Sequence, residues 1–182
     1  ANPEGSAINN QGGKSVYVVL ATGKVNNLSD GPIYNTMSGE DEKGAFFSEG
    51  QLIFSGNGTL NVNAVGKNGI VSDDYVCFRP GNKINVTSTA GHGVKANDGI
   101  FVRGGVLNVN VSANGTKGIN SDANIVVEGG RTTVITSGAS LVENNDTSSC
   151  AAAKCDSTFT LIAGVMNLKS TGEGGKGINS SN

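Results

Sequence analysis

The chain has no tryptophan, three prolines, three cysteines and one histidine in 182 residues. With His92 alone, at a corner and with no partner in the sequence, no Ser-His-Asp or Cys-His arrangement emerges. The cysteine spacings match no zinc motif. Cys150 and Cys155 share one short stretch and either close a local disulfide, which suits an extracytoplasmic setting, or stay as thiols. Cys77 is expected unpaired on the outer side of a strand. Lys and Arg number 13 against 15 Asp and Glu, a net charge of −2, and no basic stripe exists; a nucleic-acid partner is therefore disfavoured. No apolar run is long enough to span a bilayer. No signal-peptide pattern opens the chain, which fits a mature form or a chain that never had one. No glycine-rich loop leads into a helix to cradle phosphate. Tyr17, Tyr34 and Tyr75 are the only tyrosines. Without tryptophan there is no flat aromatic platform for a crystalline glycan, so polar recognition of single chains is expected.

What the sequence does have is a beat. Gly69-Ile70-Val71, Gly93-Val94-Lys95 and Gly118-Ile119-Asn120 begin 24 and 25 positions apart. Leu60-Asn61-Val62, Ile84-Asn85-Val86 and Leu107-Asn108-Val109 keep almost the same interval. So do Leu52-Ile53-Phe54, Val76-Cys77-Phe78, Ile100-Phe101-Val102 and Ile125-Val126-Val127. Self-similarity at this period means stacked supersecondary units. Each period holds three short alternating runs, and alternation at period two means strands with one buried face.

Placed in register, the runs give three inward columns. Leu52, Val76, Ile100, Ile125 and Phe159 form one; Leu60, Ile84, Leu107, Thr132 and Met166 a second; Phe46, Ile70, Val94, Ile119 and Ile178 a third. Glycine, at 28 residues without a collagen period, supplies the corners together with Asn and Asp. The fold class is all-β: one chain winding as a parallel β-helix of about 24 residues per coil, a single domain over residues 1–182. Residues 1–14 read as a lead-in, 26–44 as the longest irregular stretch, and 145–156 as a loop pushed out of the helix. The end at Asn182 falls in the middle of a coil. The chain is therefore expected to be a piece of a longer protein, with another segment or chain stacking on an open end.

Several motifs occur in a telling order: Val16-Tyr17-Val18-Val19-Leu20, Asn27-Leu28-Ser29-Asp30-Gly31, Ala45-Phe46-Phe47-Ser48, Gly56-Asn57-Gly58-Thr59-Leu60-Asn61-Val62 and Gly69-Ile70-Val71-Ser72-Asp73-Asp74. Gly93-Val94-Lys95 and Gly115-Thr116-Lys117-Gly118-Ile119 follow. The series resembles the bacterial family of calcium-binding, right-handed parallel β-helix carbohydrate-binding domains related in fold to pectate lyases, and the resemblance covers nearly the whole chain. It implies a right-handed helix, calcium as cofactor, and binding of cellulose-like or acidic, pectin-like polysaccharide at a bacterial cell surface or outside the cell, without established cleavage. The extra coil that precedes the Val16 strand in that family is missing here, and the two-cysteine stretch is not a fixed family feature.

Candidate site residues follow from the corners and outer faces. Glu49, Asp73, Asn97 and Asp122 occupy equivalent corner places, with Asp74 and Asp98 in a second column. Stacked carboxylates repel, and calcium, which accepts six to eight oxygens, can bridge them; alternatively, Asp and Asn are simply good corner residues. Arg79 and Arg103 fall at matching outward positions, suited to holding both oxygens of a sugar carboxylate. The plainer reading is an Arg103–Glu128 surface pair. Lys95 beside the acidic ladder is the candidate base for a uronate lyase, against a plain solvated lysine. Outward Asn61, Asn63, Asn85, Asn108, Asn110 and Asn167 make a polar face able to bond along the coils or to sugar hydroxyls. Three functions are thus in play: a non-catalytic, calcium-dependent polysaccharide-binding module, with Arg79, Arg103, Lys95, Asn61 and Asn108 as binding residues; a polysaccharide lyase; and a structural stalk or adhesin.

Overall fold

The computed structural model describes residues 4–180. Its strands come in tiers of three. The first tier is β1 (Ile8–Asn10), β2 (Val16–Leu20) and β3 (Val25–Ser29). The second is β4 (Gly44–Ser48), β5 (Leu52–Gly56) and β6 (Thr59–Ala64); the third is β7 (Asn68–Ser72), β8 (Tyr75–Phe78) and β9 (Lys83–Ser88). The fourth is β10 (Val94–Ala96), β11 (Gly99–Val102) and β12 (Val106–Val111); the fifth is β13 (Lys117–Ser121), β14 (Ile125–Val127) and β15 (Arg131–Thr136). A hairpin of β16 (Leu141–Glu143) and β17 (Asp146–Ser148) precedes the sixth tier, β18 (Ala151–Cys155), β19 (Phe159–Leu161) and β20 (Val165–Ser170), and β21 (Lys176–Ser180) follows.

Each strand pairs with its equivalent in the neighbouring tiers, which gives three sheets: β1-β4-β7-β10-β13-β18-β21, β2-β5-β8-β11-β14-β19 and β3-β6-β9-β12-β15-β20. The pairings within these sheets are parallel, and the β16–β17 hairpin is antiparallel. No helix occurs among the described residues, so none is long and apolar enough to cross a membrane. Three parallel sheets visited in rotation are consistent with a β-helix.

The alternating runs form the core as their register requires. Leu52 pairs with Val76, Val76 with Ile100 and Ile100 with Ile125, and all four are fully buried. Phe54 stacks on Phe78 at 5.3 Å between ring centroids, and Phe46 meets Phe54 edge-on at 5.7 Å. Each such buried side chain contributes on the order of 1.5–3 kcal/mol. The third column differs from expectation. Ile119 pairs with Ala153, and Ala153, rather than Ile119, pairs with Ile178. Residues 145–156 are accordingly not one loop. The excursion is the hairpin over 141–148, and Ala151–Cys155 is a core strand. An alanine-rich strand carries no large apolar side chains, so it leaves no alternation to find, although Ala151, Ala152 and Ala153 are all fully buried. Likewise Val25–Ser29 is a strand, which shortens the irregular stretch to 30–43, and Ile8–Asn10 pairs with β4 inside the expected lead-in.

Cys150 and Cys155 are free and buried at separate places. The Cys150 sulfur lies against the Ala113 and Ala139 carbonyls, whereas that of Cys155 lies against the Ser157 carbonyl. The stretch 30–43 is held by one carboxylate. Asp30, 3% exposed, accepts the N–H groups of Val65, Gly66 and Lys67 and the Tyr34 hydroxyl. Burial first, then that hydrogen bond, pushes the Tyr34 phenol far up.

The repeated Gly-Ile and Gly-Val pairs have a steric cause. The backbone of the first sheet passes directly against valines of the third. A Cβ on Gly69 would lie 2.4 Å from a Val86 methyl, on Gly93 2.2 Å from one of Val109, and on Gly118 2.0 Å from one of Val134. Gly93→Ala should lower the unfolding free energy by about 1–3 kcal/mol, the usual cost of forcing a methyl into a filled core. Gly13→Ala, where nothing stands within 4 Å, should leave it nearly unchanged. Denaturant midpoints of the two variants measure the difference.

Candidate functional site

The corner between the first and second sheets is a ridge of polar side chains. Ser48, Ser72, Ala96, Ser121 and Cys155 stand in register at the strand ends. Buried serines tie the turns, Ser72 Oγ donating to the Gly50 carbonyl and accepting the Asp74 N–H. The next residues, Glu49, Asp73, Asn97, Asp122 and Asp156, therefore repeat the same corner place. The N–H of Asp73 bonds Ser48 O, that of Asn97 bonds Ser72 O, that of Asp122 bonds Ala96 O, and that of Asp156 bonds Ser121 O.

On the first-sheet side of the ridge, a cleft of about 400 Å³ is lined by Lys43, Asp73, Lys95, Asn97 and Asp122. Its carboxylates already carry ammonium groups. Lys43 Nζ lies 2.6 Å from Asp73 and 3.0 Å from Asp41, and Lys95 Nζ lies 3.5 Å from Asp122. Lys154 pairs with Asp156 one tier on. Partial burial works against charge at Lys43, but hydrogen bonds to Asp73 and Asp41 raise its pKa above the usual value. Lys95 is thus ion-paired with the acidic ladder rather than standing alone beside it.

On the second-sheet side lies a different cleft of about 290 Å³, lined by Ile53, Tyr75, Cys77, Arg79, Asp98, Phe101 and Arg103. Ile53 and Cys77 form its floor. Cys77 points outward as expected but is covered, only 4% exposed. Burial pushes its thiol up against the opposing pull of Arg103 and Arg79. Tyr75 and Phe101 form one wall, their rings 5.8 Å apart and nearly perpendicular. Gly99, at φ +135°, makes room: a Cβ there would lie 3.0 Å from the Phe101 ring. Arg79 is set by its turn, in which Asn82 Nδ2 donates to the Arg79 carbonyl at 2.7 Å. Arg103 Nε lies 3.0 Å from Glu128. Arg79 has no carboxylate partner among the described residues, and its guanidinium sits 5.8 Å from the Tyr17 ring centroid.

The third sheet carries an amide ladder. Asn108 Nδ2 donates to Asn85 Oδ1 at 2.8 Å, Asn85 to Asn61 at 2.7 Å and Asn61 to Asn27 at 2.8 Å. A cleft of about 640 Å³ opens over it, with Asn27, Asn61, Asn63 and Asn85 among its lining residues.

The family of carbohydrate-binding domain-containing proteins matches residues 1–122. The chain belongs to that family. No curated protein matches the chain. Among solved structures it is similar to the polysaccharide lyase-like protein from C. thermocellum, solved as a gadolinium derivative, with a TM-score of 0.65 and 23% sequence identity over 92% of this chain. The chain spans 63% of the length of that protein. At this identity the likeness shows the fold.

In this carbohydrate-binding domain the residues singled out in the sequence fall on three different faces. Asp73, Asn97, Asp122 and Lys95 share the first cleft. Arg79, Arg103 and Asp98 share the second, and Asn61 and Asn108 lie on the ladder of the third. Asp74 accepts the Gln51 amide and the Tyr75 N–H, and Glu49 heads the ridge outside the Lys95 cleft. Among the described residues no group of three or more His, Cys, Asp and Glu side chains is placed to hold a metal ion. Three contributors escaped the sequence reading: Tyr75 and Phe101, which make the aromatic wall that the absence of tryptophan argued against, and Asp156, hidden by the missed strand β18. Extending the register to the outward positions would have found the rings.

His92 has partners after all. Its backbone N–H donates to Asn68 Oδ1 at 2.7 Å, and its ring Nδ1 accepts the Lys117 N–H at 2.9 Å. Burial, then the neighbouring Lys117, lowers its pKa from 6.5 to about 4. Between these values the unfolded chain binds a proton that the folded chain refuses. Stability should therefore fall as pH drops from 6.5 towards 4, by up to about 3 kcal/mol, and His92 adds no slope outside that window. His92→Asn, which keeps an acceptor for the Lys117 N–H, should flatten the curve. Urea midpoints at pH 7 and pH 4.5 for both proteins check this.

Proposed function

We propose that this domain is a non-catalytic polysaccharide-binding module for acidic, pectin-like chains of the plant-cell-wall type, working outside a bacterial cell or on its surface. The observation that carries the reading is the second-sheet cleft, where an aromatic wall, an apolar floor, one carboxylate and a guanidinium with no ion-pair partner among the described residues converge. Apolar lining with a few placed polar groups is the usual make-up of a ligand site. Ring faces suit the C–H face of a sugar, Arg79 suits a uronate carboxylate through paired N–H donors, and Asp98 suits a hydroxyl. Asn61 and Asn108 contribute in a secondary way, since amides in the ladder keep hydrogen-bonding capacity for sugar hydroxyls beyond their bonds to one another. The three sheets we read as a single right-handed β-helix of about 24 residues per coil, with its outermost strands available to a further segment or chain.

The two arginines are not equal in this reading. Arg103 is shared with Glu128, whereas Arg79 has no carboxylate partner among the described residues. Arg79→Gln should weaken binding to polygalacturonate about tenfold and remove most of its salt dependence, and Arg103→Gln should do less. Affinity electrophoresis at two salt concentrations measures both. Equal loss on a neutral glucan would point to a structural role. An unsaturated product would point to a lyase instead, and no retardation on any glycan would favour a stalk.

Calcium enters the reading at Asp73, Asn97 and Asp122. These three side chains offer fewer than the six to eight oxygens that calcium prefers, and Lys43 and Lys95 already hold the two carboxylates. Asp73, Asn97 and Asp122 would hold the ion only with Lys43 and Lys95 moved off the two carboxylates, and calcium there would supply positive charge for a uronate carboxylate. We expect millimolar calcium to raise the melting temperature, and more so with polygalacturonate present. Asp73→Ala combined with Asp122→Ala should abolish the rise. A wild-type melting curve that does not respond to chelator would remove calcium from the mechanism.

A further inference from the structure

The outward column of the second sheet runs Tyr17, Ile53, Cys77, Phe101, Val126 and Thr160, one residue per strand from β2 to β19. Its two aromatic members flank its two most deeply covered ones. Ile53 and Cys77 are 2% and 4% exposed, whereas Tyr17 is 61% exposed. The cleft over Ile53 and Cys77, walled by Phe101 and Tyr75, is thus followed along the stacking axis by Tyr17, which stands just outside its lining. Tyr17 and Phe101 are three strand spacings apart, about 14 Å. That is longer than a single sugar ring. Arg79 lines the cleft, and its guanidinium reaches back towards the ring of Tyr17. A large exposed aromatic side chain on a strand, held next to a cation that has no ion-pair partner among the described residues, has no role in the core.

We propose that Tyr17 is a distal platform of the same binding site, so that an anionic glycan lies along the stacking axis and spans from the Tyr75–Phe101 pair to Tyr17. This rests on the reading of the second-sheet cleft as a polysaccharide site and adds its direction and length. A short oligomer fills the Phe101 end alone. A longer one reaches the second ring, with its carboxylate over Arg79 between the two. The site therefore selects polymers over short fragments, and Tyr17 sets the length at which selection begins.

The test uses the full chain and oligogalacturonates of increasing length, with affinity read by calorimetry. Wild-type affinity should rise with length and then level off. Tyr17→Ala and Tyr17→Leu should bind the shortest oligomer as wild type does and lose about tenfold on the longer ones. Tyr17→Phe, which keeps the ring, should retain the gain. Thr160→Ala, on the same column but beyond Val126, should bind as wild type does at every length. Leu keeps the strand apolar and β-favouring, so it guards against a folding defect in the Ala variant. An unchanged length dependence in Tyr17→Leu would overturn the distal platform while leaving the cleft intact. Failure of the wild-type protein to bind any oligomer would overturn the cleft reading and this inference with it.

Discussion

Each strand of the three sheets hydrogen-bonds to its equivalents in the tiers beside it, parallel and in register. Everything else follows from that pairing, because it sets each residue directly over its own counterpart at strand spacing. Apolar residues gain most from such stacking, and Leu52, Val76, Ile100 and Ile125 are fully buried in consequence. Amides gain too, since each can donate to the one before it, as Asn61, Asn85 and Asn108 do. Carboxylates lose by it. The ridge from Asp73 to Asp156 would place like charges on neighbouring tiers, and the sequence answers with lysines: Lys43, Lys95 and Lys154 each lie against one acid of the ridge.

Register also governs where small residues are needed. The first sheet turns so tightly against the third that a methyl group on Gly93 or Gly118 would collide with a valine of the facing sheet. Buried serines at the strand ends bond the turn backbone that would otherwise go unsatisfied. Insertions are tolerated only at corners, where they leave the pairing intact. The stretch 30–43 is such an insertion, held by the Asp30 carboxylate on three N–H groups, and the β16–β17 hairpin is another, lying over the Gly115 corner.

The electrostatic outcome separates the faces chemically. Lysines and acids neutralise one another on the first sheet, amides satisfy one another along the third, and the second sheet keeps Arg79, which has no ion-pair partner among the described residues, in a cleft with two aromatic rings. A fold whose faces repeat down the stack naturally offers elongated ligands an elongated surface. Family membership in the carbohydrate-binding domains and the outward column from Phe101 to Tyr17 meet at this point.

Much of this was legible in the sequence, because period-two alternation and a repeat in the twenties translate directly into register. The three columns over the central tiers, the corner ladder and the matching places of Arg79 and Arg103 all came from spacing alone. Spacing failed where side chains gave no contrast. The Ala151–Cys155 strand has no alternation to betray it, and its omission hid Asp156 and put Ile178 one tier too early. The sequence by itself determined which residues stack on which, since strand pairing repeats the chain's own period. Only the tertiary structure decided which charges cancel, that Cys77 is covered, that His92 caps the Lys117 N–H, and that Tyr75 and Phe101 close one wall of a cleft. Those outcomes depend on how far side chains reach between neighbouring tiers and across a corner, and a period along the chain carries no information about reach.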